Sequence, residues 1–238
     1  NADNAVLNYL GSFPNDFPIF PFKQGDFDAV LMSKQSVGVL KNYSDPRLGR
    51  YGRPDNVVSL GTFDSQNANY SGAENGDERG SCDKGGSRLG SRYYDYPGQP
   101  VGGTEANGII TTYSEQELII AEAINKGIIS GNEAMHYKNG IEASMSYYDV
   151  DFGSFGWTGF DEFYADSGVS LSGTTQEKEN QIKEQKWLAT FFHGMEPYFD
   201  TRRMVFEANN GNGFQTGLVP FMVNPCENLN NGNMPTKF

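Results

Sequence analysis

Histidine and cysteine are almost missing from this sequence, with two of each among 238 residues. His136 lies inside a predicted helix and His193 at a helix end, neither beside a partner motif, so metal or catalytic histidine chemistry is not expected. Cys82 and Cys226 are too far apart for zinc-ligand spacing. They fit either one disulfide closing a long loop or two separate thiols. Basic residues are also in the minority, 18 against 30 acidic ones, for a formal net charge of −12. That balance argues against a nucleic-acid partner, whose phosphates need a basic surface, and against polybasic contact with a membrane. No apolar run reaches the roughly 18 residues that read as a membrane-spanning helix. The chain has no glycine-rich phosphate loop after a strand, no nucleophile elbow and no HExxH pair. No cofactor is therefore expected.

What remains is polar and rich in loops. Apolar residues make up 37% and charged residues 20%, and there are 29 glycines. This composition fits a globular protein rather than a disordered one. The length allows a sizeable core as one domain, or at most two.

The clearest regular stretch runs from Tyr113 to Tyr148. Ser114 followed by Glu117 has the spacing of a capping box, with Tyr113 and Leu118 spaced as a hydrophobic staple. Leu118 to Ile124 supplies an apolar body, and Gly127 is a natural C-terminal stop. Ser130 with Glu133 repeats the capping-box spacing, and Ala134, Tyr137, Ile141, Met145 and Tyr148 recur at helical intervals. The prediction is two helices joined by a tight turn, close to the tetratricopeptide period of about 34 residues. One such pair cannot bury both faces alone.

Other segments are read more briefly. Pro14, Pro18 and Pro21, with Phe13, Phe17, Phe20 and Phe22, predict an extended N-terminal stretch pinned to a core by its aromatics. Phe27 to Tyr43 is predicted as a helix that stops at Asp45-Pro46-Arg47, and Arg47 is expected to pair with a carboxylate. Thr174 with Glu177 marks a third capping box, opening a helix through Ile182, Trp187 and Phe191 to Gly194. Pro197 then starts a short helix carrying Arg202 and Arg203, for which internal pairing with carboxylates is expected. Asn209 to Phe238 reads as surface coil.

Two loops hold the candidate site. Gly61 to Gly108 contains 11 glycines, and a loop of that length is uncommon unless it is functional or disordered. Tyrosine offers a flat apolar face and a polar tip, suited to stacking on a sugar ring and bonding its hydroxyls. Tyr93, Tyr94 and Tyr96, then Tyr70, are the ligand candidates there. Trp157, between glycines in the loop from Asp149 to Gly173, is the fifth, as a stacking platform or as a plug between helices. Glu74, Asp77, Glu78 and Asp83 do not match a calcium loop and read as a solvated turn. Asp149/Asp151 and Asp161/Glu162 are the only acidic pairs that invite a glycosidase reading, and adjacency alone does not supply its geometry.

A set of short motifs recurs in one order: Asp45-Pro46-Arg47-Leu48 with Pro54, Ala121-Glu122-Ala123, Gly140 to Met145 (GIEASM), Ile182 to Trp187 (IKEQKW) and Arg202–Arg203. Together they resemble the C-terminal half of the SusD/RagB-like family of outer-membrane nutrient-binding lipoproteins. The resemblance covers roughly Asp45 to Arg203. It implies a mainly α fold in which tetratricopeptide-like helical pairs support long irregular loops. It also implies that residues 1–238 are a single SusD-like C-terminal region of a larger chain, since the helical N-terminal half and lipid-anchor cysteine of family members have no counterpart in it. Such proteins sit on the extracellular face of the Bacteroidetes outer membrane. They cap a SusC-like TonB-dependent transporter and pass glycans or other nutrients into it.

The expectation is thus a non-catalytic surface binder of an oligosaccharide, with an oligopeptide as the alternative ligand. A helical-repeat interaction module without a small ligand and a glycoside hydrolase are the competing readings. No motif of the family assigns the five aromatic candidates; they rest on loop context.

Overall fold

The structure is a computed structural model, and it describes residues 3–10, 14–19, 30–54, 70–73, 86–90, 92–93 and 106–208. Two strands, β1 (Ala5–Asn8) and β2 (Asn107–Thr111), pair antiparallel, with Val6 opposite Ile109 and Leu7 opposite Gly108. Seven α-helices follow among the described residues: α1 (Lys34–Asn42), α2 (Leu48–Tyr51), α3 (Tyr113–Asn125), α4 (Glu133–Tyr148), α5 (Phe160–Asp166), α6 (Thr175–Ala189) and α7 (Glu196–Ala208). The expected mainly α architecture is what the chain adopts.

The predicted hairpin of helices is present as α3 and α4, with different caps. Thr112, not Ser114, caps α3, its side chain accepting from the Glu115 amide at 3.1 Å. Strand β2 ends at Thr111, so the incoming chain leaves the sheet one residue before the helix and sets the cap there. Tyr113 is then the first helical residue rather than a staple outside the cap. Ser114 is drawn into the first turn, buried, and donates to the Gly140 carbonyl of α4 at 2.6 Å. Gly127 closes α3 as expected, at φ +69°. Asn132, rather than Ser130, caps α4 and accepts from the Met135 amide at 3.1 Å.

Leu118 and Ala121 of α3 meet Tyr137, Ile141 and Met145 of α4 in one core cluster with Phe163, Val169 and Ile182. Burying each large side chain of this kind contributes roughly 1.5–3 kcal/mol. A second cluster gathers Leu40, Leu48, Tyr51, Tyr70, Tyr93, Tyr148, Leu188 and Met204. Helix α4 feeds both, with Ile141 in one and Tyr148 in the other. The last turn of a helix leaves carbonyls without intrahelical partners. Tyrosines supply donors at the end of α6 and just beyond it: Tyr51 to the Leu188 carbonyl (2.8 Å) and Tyr148 to that of Phe191 (2.7 Å).

Arg47 and Asp45 sit fully buried, 2.6 Å apart. Arg47 also reaches Gln185 of α6 (2.6 Å) and Ser144 of α4 (3.4 Å). The turn after α1 is thus tied to two helices more than 90 positions away, which is the carboxylate pairing expected for Arg47.

Helix α1 begins later than the periodicity suggests. Ser33 caps it, accepting from the Ser36 amide at 3.0 Å. Residues 31–33 are extended instead, with Leu31 bridged to Arg88 and Ser33 to Ala73. Those long-range partners satisfy the backbone that a helix would otherwise have used. Thr174 and Glu177 form the complete capping box the spacing predicts. Helix α6 stops at Ala189, however, and α7 runs 13 residues with Pro197 in its first turn. No helix among the described residues is long and apolar enough to cross a membrane.

Candidate functional site

Of the five aromatic candidates, Tyr94 and Tyr96 lie outside the described residues, as do Cys82 and Cys226. The other three are placed, and none presents an open ring. Tyr93 is 4% exposed. Its ring stacks on Phe192, centroids 4.4 Å apart at 27°, and meets Phe191 edge-on at 5.8 Å. Burial pushes its hydroxyl well above the usual tyrosine range. Tyr70 is also buried, its ring 6.3 Å from Phe155 and its carbonyl accepting from Lys41 at 3.0 Å. Trp157 is half-buried, packing edge-on against Phe163 at 5.7 Å. Its indole N–H donates to the Ser44 carbonyl at 2.9 Å. Tyr70 and Tyr93 share one core cluster, whereas Trp157 packs against the other.

The aromatic that does reach solvent beside Tyr93 is Phe192, 37% exposed and held at φ +60°. That conformation is uncommon for a bulky side chain. The sequence assigns Phe192 to a helical face, and only the early stop of α6 turns it outward. Arg92 lies under this face, its guanidinium 5.0 Å from the Tyr147 ring and 5.5 Å from that of Tyr148.

The loop acids are engaged in local structure. Asp149 is the left-handed C-cap of α4. Asp151 holds Ser154, and Glu162 holds Thr158. Those hydrogen bonds lower both carboxyls below their ordinary range, whereas a glycosidase acid needs a raised one. Asp161, 90% exposed, pairs with Lys138 at 2.8 Å. His136 meets Glu117 at 2.8 Å, and His193 meets the Ile110 carbonyl at 2.9 Å.

A second feature was not anticipated from the sequence. Helices α3 and α7 are joined by charge pairs, leaving an open groove of about 450 Å³ between them, closed at its base by α6. Arg203 grips Glu122 with both terminal nitrogens (2.7 and 3.0 Å) and also meets Asp200 and Glu207, each at 2.7 Å. Lys186 bridges Glu122 (3.3 Å) and Asp200 (3.0 Å). Burial opposes ionisation of Glu122, yet Arg203, Lys186 and Lys126 outweigh it and hold the carboxyl down at about 2. Oxygens of Glu122, Glu179 and Glu207 lie within 4.8 Å of one another. Lys126 contacts all three, at 2.8, 3.7 and 2.8 Å, so a lysine already supplies the positive charge a metal would bring. The expected internal pairing of Arg203 is therefore met, through Glu122 of the Ala121-Glu122-Ala123 motif.

No curated protein sequence matches this chain. Solved structures do. A SusD homologue from Bacteroides fragilis superposes with a TM-score of 0.66 at 22% identity, over 84% of this chain and 44% of its own. A second B. fragilis SusD homologue gives 0.62 at 23% identity, over 85% and 45%. A Bacteroides vulgatus outer membrane protein, for which a nutrient-binding role is proposed, gives 0.61 at 23%, over 96% and 51%. This chain thus spans about half the length of those proteins. At such identities the likeness speaks for the fold. The family itself is shown by its sequence profile, which matches residues 1–221. The chain belongs to the SusD-like family, described as starch-binding and associating with the outer membrane.

Proposed function

We propose that this chain is the ligand-binding and scaffold region of a cell-surface glycan-binding protein. It serves at the extracellular face of the outer membrane, delivering an oligosaccharide to a TonB-dependent transporter of the SusC type. The family match over residues 1–221 carries this reading. The packing supports it: a rigid helical body anchors the aromatic segments, so loops can hold a ligand without moving the core.

Within that reading the five aromatics divide by burial. Tyr70, Tyr93 and Trp157 act as posts that fix their loops. Tyr94 and Tyr96, which follow Tyr93 in the sequence, are the residues we assign to direct sugar contact, through ring stacking and hydroxyl bonds. Binding proceeds without turnover; among the described residues, the loop acids Asp151, Asp161 and Glu162 already serve local structure.

Isothermal titration against maltoheptaose and a panel of soluble plant and host glycans, with an oligopeptide panel beside it, tests the reading. One or more glycans should bind and be recovered intact. The Tyr94→Ala/Tyr96→Ala variant should lose that binding while keeping its melting temperature. Binding of peptides alone, or steady release of cleaved sugar, would overturn the proposal.

A further inference from the structure

The groove between α3 and α7 is lined by both apolar and charged side chains. Its rim exposes Ile119 (47%) on α3, Phe199 (56%) on α7 and Ile128 (72%) in the turn after α3. Large aliphatic and aromatic side chains gathered along one cleft mark an interaction site more often than chance exposure does. Both walls are α-helical, so their backbone groups are bonded internally and no strand can pair there. What the walls offer is side-chain ridges, the surface another helix packs against.

The charges say which kind of helix. The lining holds five carboxylates against three cations. At the base Glu122, Asp200 and Glu207 are neutralised by Lys126, Lys186 and Arg203. At the rim Glu196 is exposed and makes no ion pair among the described residues. Among the described residues Glu115 meets the Thr111 hydroxyl at 3.2 Å and the His193 ring nitrogen at 3.6 Å. The excess charge of the lining is therefore negative, and the acids without a Lys or Arg partner among the described residues stand at the start of α3 and the start of α7. A second copy of this chain, at −12, would be repelled.

We propose that this groove docks an amphipathic helix of another protein, apolar along one face and flanked by lysine or arginine. Apolar residues at i, i+3/i+4 and i+7 fill the space between Ile119, Ile128 and Phe199, as in helix-in-groove recognition. Basic flanking residues meet Glu115 and Glu196 and set orientation and specificity. Tyr70, Tyr93 and Trp157 do not line this groove, so the proposal stands whether or not the glycan reading does.

Three synthetic helical peptides test this, sharing one leucine stripe and flanked by lysine, glutamine or glutamate. Each is titrated against the intact chain by fluorescence anisotropy. The lysine-flanked peptide should bind at least about tenfold more tightly than the glutamate-flanked one, a difference near 1.4 kcal/mol. Phe199→Asp should abolish binding with the circular dichroism spectrum unchanged. Glu196→Lys, at an exposed position that should not disturb folding, should reduce or reverse the preference for lysine flanks. Equal binding of all three peptides, no binding of any, indifference to Glu196→Lys, or self-association through this groove in sedimentation velocity would each overturn the proposal.

Discussion

The hydroxyl of Ser114 on α3 donates to the backbone carbonyl of Gly140 on α4 across 2.6 Å. This bond is possible because Gly140 has no side chain. A Cβ placed there would stand 2.6 Å from Leu118 Cγ and 3.3 Å from the Ser114 carbonyl. Gly140→Ala should push the two helices apart and cost about 1–3 kcal/mol, as overpacking does. Ser114→Ala should cost less, about 1 kcal/mol, by removing the donor alone. Urea midpoints for the two variants give the order.

Arg47 and Asp45 are both fully buried. Removing one partner strands the other as a buried charge. Arg47→Met should therefore cost about 3–5 kcal/mol. The double variant Asp45→Asn/Arg47→Met should recover part of that loss, because no charge is left uncompensated. A double variant no more stable than the single one in thermal melts would refute this account.

Glu122 ionises far more readily in the folded chain than in the unfolded one, at about 2 against an ordinary 4.5. Its contribution is therefore fully present above about pH 4.5 and is lost as pH falls towards 2. The amount is on the order of 3 kcal/mol for a side chain only 7% exposed. Glu122→Gln should lower stability at neutral pH and flatten the pH dependence within that window. Glu184, raised by burial and bonded to Tyr43, works in the opposite direction, so the comparison needs the variant and not the wild-type profile alone.

Trp157→Phe removes the indole donor to Ser44 and keeps most of the packing on Phe163. The expected cost is about 1 kcal/mol. Affinity for any glycan bound by the wild type should stay within about twofold, since we assign Trp157 to support. A loss beyond tenfold in the same titration would make Trp157 a ligand contact.

Several features were legible before any tertiary contact was known because they depend on neighbours within a few residues. The α3–α4 hairpin follows from apolar spacing and from Gly127. The capping box of α6 needs only Thr174 and Glu177 at the right interval, and it forms as written. A stop of α1 before Asp45-Pro46-Arg47 was also legible, since proline cannot continue a helix, although the turn itself is made by Ser44 at φ +47°, with the Asp45 amide donating to the Leu40 carbonyl. The ordered motifs also pointed to the family that the profile match then showed.

Other features were settled by residues far away in the chain. Two threonines and a serine crowd the start of α3, and only pairing of β1 with β2 makes Thr112 the cap and buries Ser114. Residues 31–33 have helical periodicity, but partners at Ala73 and Arg88 hold them extended. Tyr70 and Tyr93 look exposed in glycine-rich sequence and are buried, because the ends of α1, α2 and α6 close over them. Composition and local spacing determined that this chain would be an acidic helical hairpin scaffold with long loops. Tertiary structure alone decided which hydroxyl caps and which bridges, which tyrosines became core, and where carboxylates would line a groove. Those outcomes turn on atoms brought within about 3 Å by residues as many as 141 positions apart, a separation that no local pattern encodes.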